Sequence, residues 1–459
     1  MRAFLVLLRM VRSKAVFWLV ALLATAYFLW QKPFHARGNE RNQVISWDVA
    51  GYYAYLPMLF IEHDVQLEKS WTYDVGLVAL GFPEHPSGNG KHQKFTMGMA
   101  LLYTPFFAAS HAYTLAVNPL EAHGFSMPYR VGIALAGLFY PLLGLSLLRR
   151  VLRHYVPDAA IAWTLVALFL GTNLFYYGTY RGAMSHGATF MLTAAMLFHA
   201  DLWRRREQAW RLLVLGTLAG LILLIRPVNI LIPLAVAAMF TLDGRLPKGL
   251  LTEKRLAWAV GLAVAIGIPQ LIYWKFSTGH WIVWSYGAES FFWSDPAWIQ
   301  GLFSWRKGWM LYTPMAAFMI FGFWGLARKK PTWGLVVGLY LIVHAYITFC
   351  WWTWWYGGSF GSRPLIDTYA LLALPLAVYF QRMLEESQTW LRQLSLAAVV
   401  GLVGLNLVQT YQYNSGVIHH DSMSREAYFE VLQTFDYPSK ESLDAPDYEA
   451  ALEGRSARY

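Results

Sequence analysis

Asp48 opens an aromatic run, Ser46-Trp47-Asp48-Val49-Ala50-Gly51-Tyr52-Tyr53-Ala54-Tyr55-Leu56-Pro57, shortly after the first apolar stretch of the chain. A carboxylate at that depth can act as a general base, taking the proton of a hydroxyl as the hydroxyl attacks. It can equally cap a short helix, its oxygen accepting a backbone N–H. Glu62 and Asp64 follow, with His63 between them; the plain reading is that all three are interface residues. In Lys91-His92-Gln93-Lys94, two lysines and a histidine could hold a phosphate as point charges, or form a solvated turn. Arg181 and His186 bracket Gly182-Ala183-Met184-Ser185 between two apolar runs, where charge is expensive unless paired or wet. Arg226 ends a very apolar run and precedes Pro227, so it either serves a site or snorkels to the interface.

The segment from Trp351 to Pro364 is the most distinctive: Trp351-Trp352-Thr353-Trp354-Trp355-Tyr356-Gly357-Gly358-Ser359-Phe360-Gly361-Ser362-Arg363-Pro364. The flat faces of Trp and Tyr suit the apolar faces of sugar rings. Glycines allow close approach of backbone to ligand. Arg363 offers a fork of donors matched to phosphate or carboxylate. An aromatic belt with a glycine turn is the competing reading, but a belt requires neither three glycines nor an arginine. Further aromatics, with Glu289, Asp295, Arg306 and Lys307, lie between Gly279 and Met310.

These residues need a scaffold, and the composition says which kind. The chain has 459 residues, 57% hydrophobic and only 14% charged. A soluble chain uses about 25% charged residues, so much of this surface must face lipid. The aromatic share is 17%, with 22 Trp, which fits membrane interfaces. The net charge of +10 is spread in short clusters between apolar runs, a topology signal and not a nucleic-acid groove. A lone cysteine, Cys350, excludes a disulfide within the chain and a thiolate metal site. The apolar run Ala15–Trp30 follows Arg2, Arg9, Arg12 and Lys14, and Gln31-Lys32-Pro33-Phe34 lacks a small-residue cleavage site, so a retained signal anchor is expected.

A helix needs about 20 apolar residues to cross the hydrocarbon core. The pattern predicts an all-α polytopic membrane protein with about eleven transmembrane helices, near 15–31, 130–148, 159–177, 185–202, 212–226, 228–242, 256–275, 311–327, 334–352, 366–382 and 393–411. The run Thr96–Val117 is apolar enough to be a twelfth. Leaving it out places every dense basic cluster on one side, and those clusters hold 20 of the 37 lysines and arginines; segment 32–129 holds six. That bias predicts Thr96–Val117 lying in the outer interface, broken near Pro105 and the polar Ser110 and His111. The expected organisation is a membrane domain over 1–411, with a large extracytoplasmic first loop at 32–129, and an extracytoplasmic tail at 412–459. The N-terminus is expected in the cytoplasm and the candidate residues on the outer face.

No Walker loop, dinucleotide glycine fingerprint or HExxH is present. Nothing therefore supports nucleotide hydrolysis, and a donor borne by the membrane fits an outer site better than a nucleotide sugar.

The ordered set of features resembles the glycosyltransferase C superfamily, multispanning enzymes that use polyprenyl-phosphate sugars. Trp47-Asp48-Val49-Ala50-Gly51-Tyr52-Tyr53 matches the position of that family's catalytic acid, just after the first helix. Stretches 48–60 and Thr96–Val117 would be its juxtamembrane helices. Met127-Pro128-Tyr129-Arg130 matches the arginine that commonly opens the next span, and the run from Leu215-Gly216 through Gly220-Leu221 to Arg226-Pro227 its glycine-rich helix. Phe303-Ser304-Trp305-Arg306-Lys307-Gly308, Tyr312-Thr313-Pro314 and Gly358–Arg363 are similar to segments of bacterial protein mannosyltransferase-like and arabinosyltransferase-like members. The resemblance covers roughly residues 15–410.

What it implies is inverting transfer of a hexosyl or pentosyl group from a polyprenyl-phosphate sugar to a hydroxyl of a cell-envelope glycan, lipid or protein. Asp48 would be the base. Lys94, Arg181, Arg226 or Arg363 would hold the leaving phosphate, and Tyr52, His186, Trp354, Trp355 and Tyr356 would contact sugar or acceptor. Many members carry two adjacent acids, whereas Asp48 has no acidic neighbour; a second acid, where needed, would come from Glu62, Asp64 or Asp74. The sequence points to no particular cofactor; a divalent metal is compatible with this reading but not indicated, and the lone Asp48 leaves the metal requirement open. A transporter or flippase for a lipid-linked or anionic substrate is the rival expectation.

Overall fold

The computed structural model describes residues 12–35, 44–64, 93–244, 249 and 251–454. Asp74, Lys91 and His92 lie outside them. Among the described residues the chain is all helical, its one β-type contact being an isolated antiparallel bridge between Phe291 and Trp351.

Helix α1 spans Ser13–Gln31. After it come the short α2 (Asp48–Tyr53) and α3 (Tyr55–Phe60), then α4 (Gly98–Val117), α5 (Met127–Leu152), α6 (Asp158–Leu170) and the single turn α7 (Leu174–Tyr177). The middle of the chain forms α8 (Ser185–Arg205), α9 (Arg211–Ile225), α10 (Leu231–Leu242) and α11 (Glu253–Thr278). Two short helices, α12 (Trp298–Phe303) and α13 (Trp309–Tyr312), lead into α14 (Ala316–Lys329), α15 (Pro331–Cys350), α16 (Tyr369–Glu385) and α17 (Thr389–Ser415). The tail adds α18 (Arg425–Gln433) and α19 (Tyr448–Leu452).

Among the described residues, six stretches are long and apolar enough to cross a membrane: α1, α5, α11, α15, α17, and α16 together with the turn that leads into it. The bundle buries α8 and α16 and leaves α11 and α17 mostly exposed, as expected of helices at a lipid-facing rim. Where helices cross most closely, small residues let the backbones meet. In α9, a Cβ on Gly216 would stand 2.2 Å from the Ala259 carbonyl oxygen of α11, so those two backbones can touch only because that position is glycine.

Four expected spans differ from a single straight helix. Residues 159–177 break at Gly171–Asn173, and the freed carbonyls of Leu170 and Thr172 accept from Asn406 Nδ2 of α17 at 2.8 and 2.9 Å. A side-chain amide thus replaces the lost helical bonds, which a buried break requires. The stretch near 228 starts as a tight turn, Pro227–Ile230, before α10. The stretch near 311 is interrupted at Thr313-Pro314. The one near 366 starts as a 3-10 turn, Arg363–Thr368, before α16.

Thr96–Val117 corrects the sequence expectation in the other direction. It is not broken: α4 runs through Pro105 as one 20-residue helix. Its polar residues are absorbed by the start of α5, with Ser110 Oγ donating to the Pro128 carbonyl at 3.0 Å and His111 Nδ1 meeting the Tyr129 hydroxyl at 2.5 Å. Proline costs a helix one hydrogen bond and a clash, and packing against a neighbouring helix can offset that.

Candidate active site

Asp48 is the first residue of α2. The residue before it, Trp47, has φ 53° and ψ −131°, and no side chain caps the helix. The capping role is therefore not the one the Asp48 carboxylate fills. It meets Arg363 instead: Asp48 Oδ2 lies 3.1 Å from an Arg363 terminal nitrogen, with both side chains partly buried. The two residues are more than 300 positions apart, joined by the fold alone.

The loop that delivers Arg363 is fixed from three sides. Asn173 Nδ2, at the break after α6, donates to the Phe360 carbonyl at 3.1 Å, and the Tyr177 hydroxyl accepts from the Phe360 N–H at 3.0 Å. Lys307 Nζ, fully buried, donates to the Ser359 carbonyl. Gly361 has φ 61°, and a Cβ there would stand 2.9 Å from Tyr312 Cβ, so both backbone and space demand glycine. Tyr356 also has a left-handed backbone, φ 56°. Non-glycine residues in this region are costly, and they concentrate where a site must be held. Trp47 precedes Asp48 and Tyr356 opens the loop to Arg363, so both halves of the ion pair are approached through such a residue.

Below Asp48 and Arg363 lies a buried polar group that the sequence reading missed. Asp367, fully buried, accepts from Asn229 Nδ2 at 3.0 Å, meets His186 Nδ1 at 2.9 Å, and lies 3.5 Å from an Arg226 terminal nitrogen. The signal was present: a carboxylate at the start of an apolar span is a candidate by its cost alone. Reading 366–382 as one plain span hid it. The 3-10 turn Arg363–Thr368 presents Arg363 and Asp367 from one element. Arg226 ends α9 with a backbone bend, φ −153° and ψ 112°, that Pro227 enforces. Arg226 is thus paired and not snorkelling. His186, expected to touch sugar or acceptor, is spent on Asp367 and is 1% exposed.

Three phenols surround the charges. Tyr52 of α2 is held well above the ordinary tyrosine range, first by burial and then by the Asp48 carboxylate, with Arg226 opposing. Tyr286 is pushed up to about 12 by burial, with Arg226 working against it and Asp48 and Glu289 with it. Tyr356 is raised by burial against the pull of Arg226 and Arg363. All three stay protonated at neutral pH and remain hydrogen-bond donors.

The other expected residues fall at varying distances from this centre. Lys94 pairs with Glu289 and sits 5.1 Å from the Tyr286 ring centroid, at the edge of the site. Arg181 donates to Ser46 Oγ at 3.3 Å and so braces the approach to Asp48. Trp354 and Trp355 are each 2% exposed and pack with Ala297 and Ala451, under α19, so the rings expected to stack on a sugar instead hold the tail. Glu62 and Asp64 close the turn after α3, their backbone N–H groups donating to the carbonyls of Pro57 and Met58 at 3.0 and 2.8 Å.

One group among the described residues, His419-His420-Asp421, brings its ligand-type atoms within 4.8 Å. His419 Nδ1 already accepts the backbone N–H groups of Asp421 and Ser422, and the Asp421 carboxylate accepts from Ser422 and Tyr448. It works as a hydrogen-bonded knot that ties the tail to the Arg363 loop, where the Ser359 N–H donates to the His420 carbonyl.

The helical fold and the six long apolar helices among the described residues give the class: a helical membrane protein with a charged, tyrosine-lined site at one end of the bundle. Compared with known proteins, the chain matches no family model and no curated protein.

Proposed function

We propose that this protein is a membrane glycosyltransferase that moves a sugar from a polyprenyl-phosphate donor to a cell-envelope hydroxyl, with inversion, on the extracytoplasmic face of a bacterial inner membrane. The observation that carries the reading is the Asp48–Arg363 pair: a carboxylate and a guanidinium 3.1 Å apart beside three protonated phenols. Arg363 Nε is also buried without a hydrogen-bond partner among the described residues, a spare donor of the kind an absent anion would take.

The chemistry divides between the two. Donor phosphate replaces Asp48 as the partner of Arg363, which frees the carboxylate. Asp48 then takes the proton of the acceptor hydroxyl as its oxygen bonds to the anomeric carbon. The carbon–oxygen bond to phosphate breaks on the opposite face, and its electron pair leaves with polyprenyl phosphate. Arg363, with the field of Arg226 behind it, stabilises the charge gathering on that phosphate, the kind of electrostatic help that dominates many enzymes. Incubation of the purified protein with a panel of polyprenyl-phosphate sugars and envelope acceptors should release free polyprenyl phosphate from at least one donor. No release from any donor, with any acceptor, would sink the reading.

The rival is a transporter or flippase. The helix broken at Arg226-Pro227 and the buried His186–Asp367–Arg226 group favour it, since discontinuous helices and interior charges mark transport paths. Movement of intact donor across a proteoliposome membrane, without sugar release, would select it.

A further inference from the structure

At the end of the bundle opposite Asp48, α1 begins, α5 ends and α6 begins. Arg12, Lys14, Arg149 and Arg153, with Asp158, line a cavity of about 350 Å³ there. The carboxylate in this cavity is already engaged. Asp158 Oδ2 accepts the Ser13 backbone N–H at 2.7 Å, and Oδ1 accepts the Ser13 hydroxyl at 2.5 Å. Arg149 donates to that same hydroxyl at 3.3 Å. None of the four cations forms an ion pair with a described carboxylate. Asp158 offsets part of this charge, and the like charges left in excess repel one another unless a further anion joins them.

The neighbouring surface says what kind of anion. Lys14, Trp18 and Leu22 are spaced four apart on α1 and so form one stripe along the helix. All three are exposed, Trp18 at 62% and Leu22 at 65%. A cation at the cavity, an indole one turn deeper and an aliphatic side chain one turn deeper again reproduce the sequence of headgroup, interface and acyl layer.

We propose that this cavity binds the phosphate headgroup of an anionic phospholipid whose acyl chains run along the Lys14–Trp18–Leu22 stripe. Basic recesses between membrane helices suit such headgroups, each nearby Lys or Arg adding attraction. The site lies at the far end of the bundle from Asp48 and stands independently of the transferase reading.

The test uses the full chain in uncharged detergent. Native mass spectrometry and thermal unfolding are recorded with phosphatidylglycerol, with phosphatidylcholine of the same acyl chains, and with inorganic phosphate alone. Phosphatidylglycerol should stay bound and raise the unfolding temperature by several degrees more than phosphatidylcholine, while inorganic phosphate changes little. Arg149→Gln/Arg153→Gln should lose that preference. Lys254→Gln, a charge removed from the exposed start of α11, should keep it. Where the double variant does not fold, Lys14→Gln, an exposed position, should still weaken retention of phosphatidylglycerol. Equal stabilisation by the two lipids, or equal loss in Lys254→Gln, would overturn the site. A full shift from inorganic phosphate alone would overturn the lipid as its occupant, leaving a soluble anion.

Discussion

At the scale of single residues, the account turns on which charge holds which. Arg363 touches Asp48, so a substitution there reaches both ends of the reaction and not the donor alone. Arg363→Lys keeps a cation for Asp48 but loses the fork, and Arg363→Ala removes both. Donor binding should therefore fall in Arg363→Lys and fall further in Arg363→Ala, with turnover following the same order. Equilibrium binding of a labelled donor checks this, and a lysine variant that binds as the native protein does would reduce Arg363 to a helix anchor. Asp367 belongs to a different category, because His186 and Arg226 would lose their shared carboxylate. Breaking a buried pair typically costs about 3–5 kcal/mol. Asp367→Ala should lower unfolding stability by that order in a thermal assay in detergent; a change within experimental scatter would show that the group is not structural.

At the scale of elements, the breaks matter more than the helices. Gly361→Ala forces a side chain into a left-handed backbone and against Tyr312. A cost of about 1–2 kcal/mol is expected. It should come with weaker donor binding, since Arg363 is two residues on; unfolding and binding measured on the same sample check both, and a destabilised variant with intact binding would uncouple the loop from the site. These breaks also mark the limit of what the sequence makes legible. Apolar length located helices across the chain, because lipid imposes a simple rule on composition. Asp48 and Arg363 were readable as reactive types beside aromatic and glycine-rich runs. Their pairing was not, since it depends on Asn173 and Asn406 satisfying a break between Leu170 and Leu174 that hydropathy does not register. Trp354 and Trp355 were misread for a related reason. A tryptophan-rich run can face a ligand or brace a neighbouring segment, and only the position of Ala451 and Tyr448 decides between them. Pro105 was overvalued as a breaker because the partner helix that absorbs its polar neighbours lies beyond any local window.

At the scale of the whole molecule, the topology and the reaction can each be tested. The basic clusters predict that Leu120 and Lys440 both lie outside. Native Cys350 is buried, so Leu120→Cys and Lys440→Cys should label with little background. An impermeant thiol reagent should reach both from the outer side of intact cells, and labelling of position 120 only after lysis would make α4 a span and overturn this topology. The central claim is that Asp48 supplies the base for sugar transfer at a site where Arg363 holds the donor. Single-turnover transfer by Asp48→Asn, measured beside donor binding on the same preparation, tests it most directly. Loss of a general base typically slows the chemical step by about 10²–10⁴-fold. The account predicts a loss of that size with donor still bound, and near-native transfer by a folded Asp48→Asn would contradict it.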